Sequence, residues 1–467
     1  MLLYFALCVY VCTVAALWPI PSTYTAGESV LWIEQDVHIS YNVVGQVPLP
    51  LWQRTPLIQY LNYLFKQQEG YGSTAANVTS SSERIVSTAI QRAIDTMFSQ
   101  NFVPWKFHPR NSDFEPSANT SKAYVTSITL QQNGTDAADI LKAMDGTVDE
   151  SYTLVMTVKG EVTITATTSL GLSHGLTTLT QLFYKHSDGC VYSPLAPVVI
   201  SDAPKFPHRG LNMDVSRNWY EPADIMRMID ALAYNKMNRL HIHITDAQSW
   251  PLEIPALPLL AEKGAYESSL TYSPATLASI QDYGAIRGVQ TFLEIDMPGH
   301  TSSIAFSYPD LVAAFNVQPN WDDYAAEPPS GTLKLNSSAV TAFLETLFND
   351  LLPRVAPYTS YFHTGGDEVN VNAYTLDDTV QTNDTAILQP LMQAFVNKNH
   401  AQVRAAGLTP IVWEEMLLIW NLTLGSDVIV QTWLSDESVA ATVSQGHKAL
   451  AGNYNYWVMS NLSHLAT

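Results

Sequence analysis

Two acids stand side by side in His363-Thr364-Gly365-Gly366-Asp367-Glu368, directly after a pair of glycines. On a regular strand, neighbouring side chains face opposite sides. Glycines permit an irregular turn, and such a turn lets both carboxylates reach one cavity. Two close carboxylates push their pKa values apart, so one stays ionised while the other holds a proton. That is acid–base chemistry concentrated at one point. A solvated Asp-Glu pair in a surface loop is the ordinary alternative. Here the apolar residues before the glycines read as a strand, and Asp367 and Glu368 fall where it ends.

The rhythm of the chain after His208 supplies the elements that would position this pair. Short apolar stretches at 210–215, 239–244, 289–295, 358–363, 410–413, 428–432 and 447–451 read as strands. Stretches at 222–234, 274–287, 338–352, 386–406 and 437–445 read as helices between them. Such alternation implies a parallel sheet. Polar side chains gather at the strand ends: Asp214, His243, Asp246, Glu294, Asp296, His300, Trp413 and Glu415 join the acid pair. In a TIM-type (β/α)8 barrel that end carries the active site, and this α/β fold is the one expected. A doubly wound open sheet would alternate in the same way. No glycine-rich fingerprint follows the first strand, so a dinucleotide site is not expected; no cofactor is expected for the chain. His243, Asp246, Asp296 and His300 also have the chemistry of metal ligands. They come from different strands without a short ligand motif, so a buried hydrogen-bonded network is expected instead of a metal.

Before residue 204 the pattern changes. Stretches at 30–39 and 152–165 alternate as half-buried strands do, 84–98 and 172–183 have helical spacing, and 70–82 is loop-like. This describes a smaller α+β domain at 17–204 with no catalytic constellation. Three prolines within 197–207 mark its boundary with the barrel at 205–457. A length of 467 residues fits two domains. With 46% hydrophobic and 14% charged residues the chain is globular, not disordered. Its net charge of -20 repels phosphate and argues against a nucleic-acid partner.

Residues 1–16 read as a signal peptide, apolar to Cys12 with Val14-Ala15-Ala16 as the cleavage site, though without a basic n-region. A membrane anchor is the alternative, but the apolar run is short for a bilayer. The expected destination is secretion or the secretory and vacuolar pathway, with no membrane attachment after cleavage. N-x-S/T sequons at Asn77, Asn119, Asn133, Asn336, Asn383, Asn421 and Asn461 fit that route. Once Cys8 and Cys12 leave with the leader, Cys190 is alone and no internal disulfide can form.

Glycosidases normally place two carboxylates on opposite sides of the scissile bond. Adjacent acids can hardly do so, and a division of labour in which the substrate supplies the nucleophile suits them better. A 2-acetamido group has the required carbonyl oxygen. Glu368 would protonate the leaving oxygen and then activate water. Asp367 would hold the acetamido N–H and stabilise the charged intermediate.

At this point the chain resembles the secreted, fungal-type β-N-acetylhexosaminidases of glycoside hydrolase family 20, which belong to the known substrate-assisted exceptions. His208-Arg209-Gly210-Leu211, with Asp214 and Arg217 following, is similar to the family's first strand. The resemblance implies that Arg209 donates to the sugar hydroxyls at C3 and C4. His241-Ile242-His243-Ile244-Thr245-Asp246 resembles the second strand, with His243 as support and Asp246 at the substrate. Glu294-Ile295-Asp296-Met297-Pro298-Gly299-His300 resembles the third, where Glu294, Asp296 and His300 support the acid. Trp413 and Trp433 would wall the pocket for the acetamido methyl. The implied activity is retaining exo-hydrolysis of terminal N-acetylglucosamine or N-acetylgalactosamine. A non-catalytic sugar-binding relative is the competing reading. The other substrate-assisted family, the chitinases, fits less well because no Asp-x-x-Asp-x-Asp-x-Glu strand is present.

The resemblance fades after Asn453-Tyr454-Asn455-Tyr456-Trp457, where the family presents a Tyr-Leu-Asp segment. Tyr456 is the nearest substitute for that tyrosine. Residues 458–467 read as an aberrant tail of the kind a translated intron would leave. On this reading the barrel lacks its last strand, two unpaired edges lower solubility or activity, and the homodimer implied for full-length relatives is not expected here.

Overall fold

A computed structural model describes residues 17–44, 80–118 and 121–453. The leader, Asn77, Asn119, Tyr456, Asn461 and the tail at 458–467 lie outside the described residues.

In the N-terminal unit, the alternating stretch at 30–39 is divided between β1 (Thr23–Ile33) and β2 (His38–Val43). Polar Gln35-Asp36 makes the turn between them, closed by the Val37 N–H on the Glu34 carbonyl. The stretch at 152–165 likewise divides into β4 (Tyr152–Met156) and β5 (Glu161–Ala166). Gly160 takes a φ of +84° at that hairpin, a conformation open to glycine. With β3 (Ser127–Gln132), β7 (Val191–Asp202) and the short β6 (Tyr184–Lys185), the sheet runs β1-β7-β4-β5-β3-β2, with β6 paired to β7. Strands β3, β4 and β5 bury every second residue, as a sheet with one covered face must.

Helices α1 (Ser81–Asp95) and α2 (Ser169–Thr180) are the cover. A reciprocal Ser80–Glu83 capping box starts α1 and Thr168 caps α2. Every residue of α2 is buried. Charges tie this unit to the next one. Lys236 Nζ reaches Asp202 at 3.1 Å and the Tyr152 hydroxyl at 2.8 Å, and Arg239 meets Asp145 at 2.6 Å.

From Gly210 the seven expected strands appear in one parallel sheet. They are β8 (Gly210–Asp214), β9 (Arg239–Thr245), β10 (Gln290–Ile295), β13 (Tyr361–His363), β14 (Thr409–Trp413), β15 (Ile429–Thr432) and β16 (Lys448–Ala451). Their order is β16-β15-β14-β13-β10-β9-β8. A two-stranded ribbon of β11 (Val312–Ala313) and β12 (Thr332–Leu333) stands in the long connection after β10. Helices α3 (Pro222–Tyr234), α4 (Leu259–Gly264), α5 (Pro274–Ala285), α6 (Ser338–Val355), α7 (Thr385–Ala405), α8 (Glu414–Leu418) and α9 (Asp436–Ser444) complete the connections.

The sheet curls as a (β/α) barrel does, and both of its faces are covered. Strands β9 and β10 are therefore buried throughout. Leu240, Ile242, Ile244, Leu293 and Ile295 join the core shared with the helices. The alternate side chains face inward. Phe292, Tyr361, Ile411 and Ile429 form a separate apolar layer inside the curl. Each such residue contributes about 1.5–3 kcal/mol by leaving water. This layer supports the polar residues nearer the strand ends.

Candidate active site

The turn after β13 displays both acids. Gly365, Gly366 and Glu368 have φ of +68°, +112° and +53°. A Cβ on Gly365 would run into the Asp296 carboxylate, and one on Gly366 into Met416 of α8. Both glycines are thus required by conformation and by space. Glu368 has no such freedom, and its left-handed backbone costs roughly 1–2 kcal/mol. The Gly366 N–H donates to Asp296 Oδ1 at 2.8 Å, which pins the turn to β10.

His300, also left-handed at φ +52°, lies among the acids. Its Nε2 is 3.4 Å from Glu368 Oε2, 3.9 Å from Asp367 Oδ2 and 3.8 Å from Asp296 Oδ2. Its Nδ1 is 3.2 Å from Asp246 Oδ1. Burial opposes the imidazolium, but Asp246, Asp296 and Asp367 outweigh it and raise the His300 pKa well above the usual range. Asp246 also faces His243 Nε2 at 2.6 Å and Arg217 at 3.0 Å. Burial would raise its pKa, yet His300 and His243 bring it below the ordinary carboxylate range. Arg217 reaches out further, to Asp214 at 2.8 Å and Glu327 at 2.9 Å.

The two acids have opposite surroundings. Burial and the neighbouring Asp296 push the Asp367 pKa well up, and that of Asp296 rises to about 6, again through burial first. Glu368 is also partly buried, which favours its neutral form. The hydrogen bond and charge of His300, with Arg217 beyond, outweigh this and lower its pKa. In the free pocket burial and the neighbouring charges therefore favour the neutral form of Asp367 and the ionised form of Glu368. The cause is tertiary: Asp367 faces a second carboxylate and Glu368 faces an imidazolium.

Beneath this layer Glu294 is fully buried. It lies 2.7 Å from His241 Nε2, 3.0 Å from His243 Nδ1 and 3.4 Å from His363 Nδ1, and it accepts from Trp413 Nε1 at 2.6 Å. Two groups, His241/Glu294/His363 and Asp296/His300/Asp367, bring metal-ligand atoms within 4.8 Å of one another. In each, a carboxylate already accepts from a protein N–H, that of Trp413 or of Gly366.

The structure thus gathers Asp246, Asp296, His300, Asp367 and Glu368, with His243 and Glu294 below them. Trp413 is almost fully buried, its indole beside His363 at 5.0 Å between ring centres, so it lies under the acid turn. Trp433 is half-buried and donates from Nε1 to Glu415 at 3.0 Å. Asn133, Asn336, Asn383 and Asn421 are exposed.

Arg209 requires correction. It precedes β8, at the end of the sheet away from the acids, where it pairs with Glu150 at 2.6 Å and donates to the Phe206 and Lys236 carbonyls. A five-residue strand spans roughly 16 Å, which separates its two ends. Arg217, three residues beyond that strand, is the arginine at the site. Its position after the last strand residue was the available signal. Glu327 and Glu415 also belong to this region. Glu327 arrives on a long connection whose path had no local sequence signal, and Glu415 was legible only as a polar residue at a strand end.

Comparison with known proteins agrees with this geometry. Residues 206–464 match the catalytic domain of glycosyl hydrolase family 20, and residues 17–182 match a domain described as beta-acetyl hexosaminidase like. The chain belongs to glycosyl hydrolase family 20. It is 41% identical to a beta-hexosaminidase of Arthroderma benhamiae over 96% of its own length and 76% of that protein. Identity to beta-hexosaminidase subunit A1 of Dictyostelium discoideum is 30%, over 74% of this chain and 61% of that one. The crystal structure of a Flavobacterium johnsoniae chitobiase superposes with a TM-score of 0.69 at 25% identity, covering 94% of this chain and 59% of the other.

Proposed function

We propose that the protein is a retaining β-N-acetylhexosaminidase that releases terminal N-acetylglucosamine or N-acetylgalactosamine from the non-reducing end of glycosides. The observation that carries this reading is the pair Asp367 and Glu368 on one turn, in opposite electrostatic surroundings. Their adjacency leaves the far face of the sugar without a protein nucleophile, so the acetamido carbonyl oxygen takes that part.

The acetamido N–H donates to Asp367, which favours the Asp367 carboxylate, and the proton this group gives up passes to Glu368. Glu368 protonates the glycosidic oxygen as the C1–O bond breaks. The acetamido oxygen bonds to C1, and the positive charge of the resulting oxazolinium ring faces ionised Asp367. Glu368, now a carboxylate, takes a proton from water as the water oxygen bonds to C1 and the ring opens. Two inversions at C1 give net retention. Arg217, whose charge is held by Asp214, Asp246 and Glu327, is the donor for ring hydroxyls.

The test is hydrolysis of a chromogenic N-acetyl-β-glucosaminide by the chain and by Glu368→Gln. Loss of general acid–base catalysis should lower kcat by about 10²–10⁴-fold. Sugar binding without release in either protein would support the non-catalytic reading. Secretion and glycosylation complete the proposal, supported by the apolar leader and the four exposed sequon asparagines. A fall in mass on enzymatic removal of N-glycans from the secreted protein is the expected result.

A further inference from the structure

We propose that Glu414 and Glu415, adjacent on α8, are positioning residues that fix the indole of Trp433 and thereby limit the acyl group accepted on the sugar's C2 nitrogen. The proposal rests on the reading of the pocket as an N-acetylated sugar site and adds a determinant of its selectivity.

Both carboxylates are buried, Glu414 at 1% and Glu415 at 5% exposure. Their targets are one residue and its neighbour. Glu414 Oε1 accepts the backbone N–H groups of Trp433 at 2.8 Å and Leu434 at 2.5 Å. Glu415 Oε1 accepts the indole N–H of Trp433 at 3.0 Å. One acid therefore fixes where the chain leaves β15, and the other fixes the rotation of the ring. The same short helix packs Met416 against Gly366, so it also touches the turn that carries Asp367 and Glu368. Trp433 and the acid pair are thus held from one support.

Burying two acids with an apolar ring costs free energy unless they are bonded. Among the described residues, Oε2 of each acid has no hydrogen-bond partner. A hydrophobic support of equal volume would avoid that cost but could not orient the indole. Burial and the nearby Asp367 raise the Glu415 pKa to about 8, so at neutral pH its second oxygen carries a proton. A neutral acid accepts from the indole N–H without adding a negative charge beside the Asp367 carboxyl. An amide can do the same.

The experiment compares chromogenic glucosaminides bearing N-acetyl, N-propanoyl and N-butanoyl groups. With Trp433 fixed, each added methylene should cost wild type about 10-fold or more in kcat/KM. Glu415→Ala should shrink the acetyl-to-butanoyl ratio by about 10-fold, while Glu415→Gln keeps the ratio within about 3-fold of wild type because its amide oxygen still accepts. Equal losses on all three substrates in Glu415→Ala, or an unchanged ratio, would overturn the proposal. If Glu415→Ala does not fold, Trp433→Phe removes the indole N–H instead and should shrink the ratio similarly; an unchanged ratio there also overturns it. If wild type cleaves none of the substrates, the proposed activity fails separately. The acyl preference is then read from calorimetric binding of N-acetyl- and N-butanoylglucosamine to the same variants, with the same two outcomes.

Discussion

Asp367 and Glu368 differ by one methylene, yet their neighbours shift their pKa values in opposite directions. Asp296 is the discriminating group, because it lies against Asp367 and leaves Glu368 to His300. The linkage has a definite sign. Asp296 has a folded pKa of about 6 against an ordinary 3.8, so the folded state holds the proton more tightly. Its contribution to stability is present below about pH 4 and is lost as pH rises through the folded value. Asp296→Asn removes that loss and keeps an oxygen for the Gly366 N–H. The variant should be more stable than wild type at pH 7, by on the order of 2 kcal/mol, with little difference at pH 4. Urea melts at the two pH values check this. Activity should fall in the same variant, because the Asp367 pKa would drop and the proton needed by Glu368 would be held less well.

At the scale of the element, the turn after β13 aims the acids. Its glycines were legible in the sequence as a licence for irregular backbone, and all three positive φ values fall within this stretch. What they avoid was not legible, because Asp296 comes from β10 and Met416 from α8. Gly365→Ala should bear roughly 1–2 kcal/mol of left-handed strain and push the turn off Asp296. A sub-ångström displacement of the acids should lower kcat by about 100-fold, with a smaller effect on thermal stability. Activity at wild-type level would show that the turn tolerates the methyl group and that the aim does not depend on this glycine. The strands before it were readable because apolar runs bounded by polar ends have few other interpretations. The stretches at 30–39 and 152–165 were less so, because a short turn does not interrupt alternation enough to reveal two strands.

At the scale of the molecule, the two arginines near β8 belong to different functions. Arg209 joins the barrel to the N-terminal unit through Glu150, itself held near a pKa of 2 against burial by His174 and Arg209. Arg217 serves the site. Arg209→Ala should leave KM unchanged while destabilising the protein by about 3 kcal/mol, since it strands a largely buried carboxylate. Arg217→Ala should raise KM at least 10-fold through the lost sugar contact. Steady-state kinetics beside thermal melts separates the two, and the opposite pattern would return Arg209 to the substrate.

The acid pair, the strand–helix rhythm and the polar strand ends were determined by sequence alone. Each depends on residues close together in the chain, where periodicity and turn chemistry act. Which arginine lies beside the acids, which acid is pushed toward its neutral form and what bonds Trp433 were decided only by tertiary structure. Arg209 and Arg217 are eight positions apart but at opposite ends of β8. The proton follows Asp296 and His300, from another strand and its loop. Trp433 is held by a pair of acids 18 and 19 residues before it. Charge–charge energies depend on distance in space and on burial, and neither is written in the local pattern of the chain.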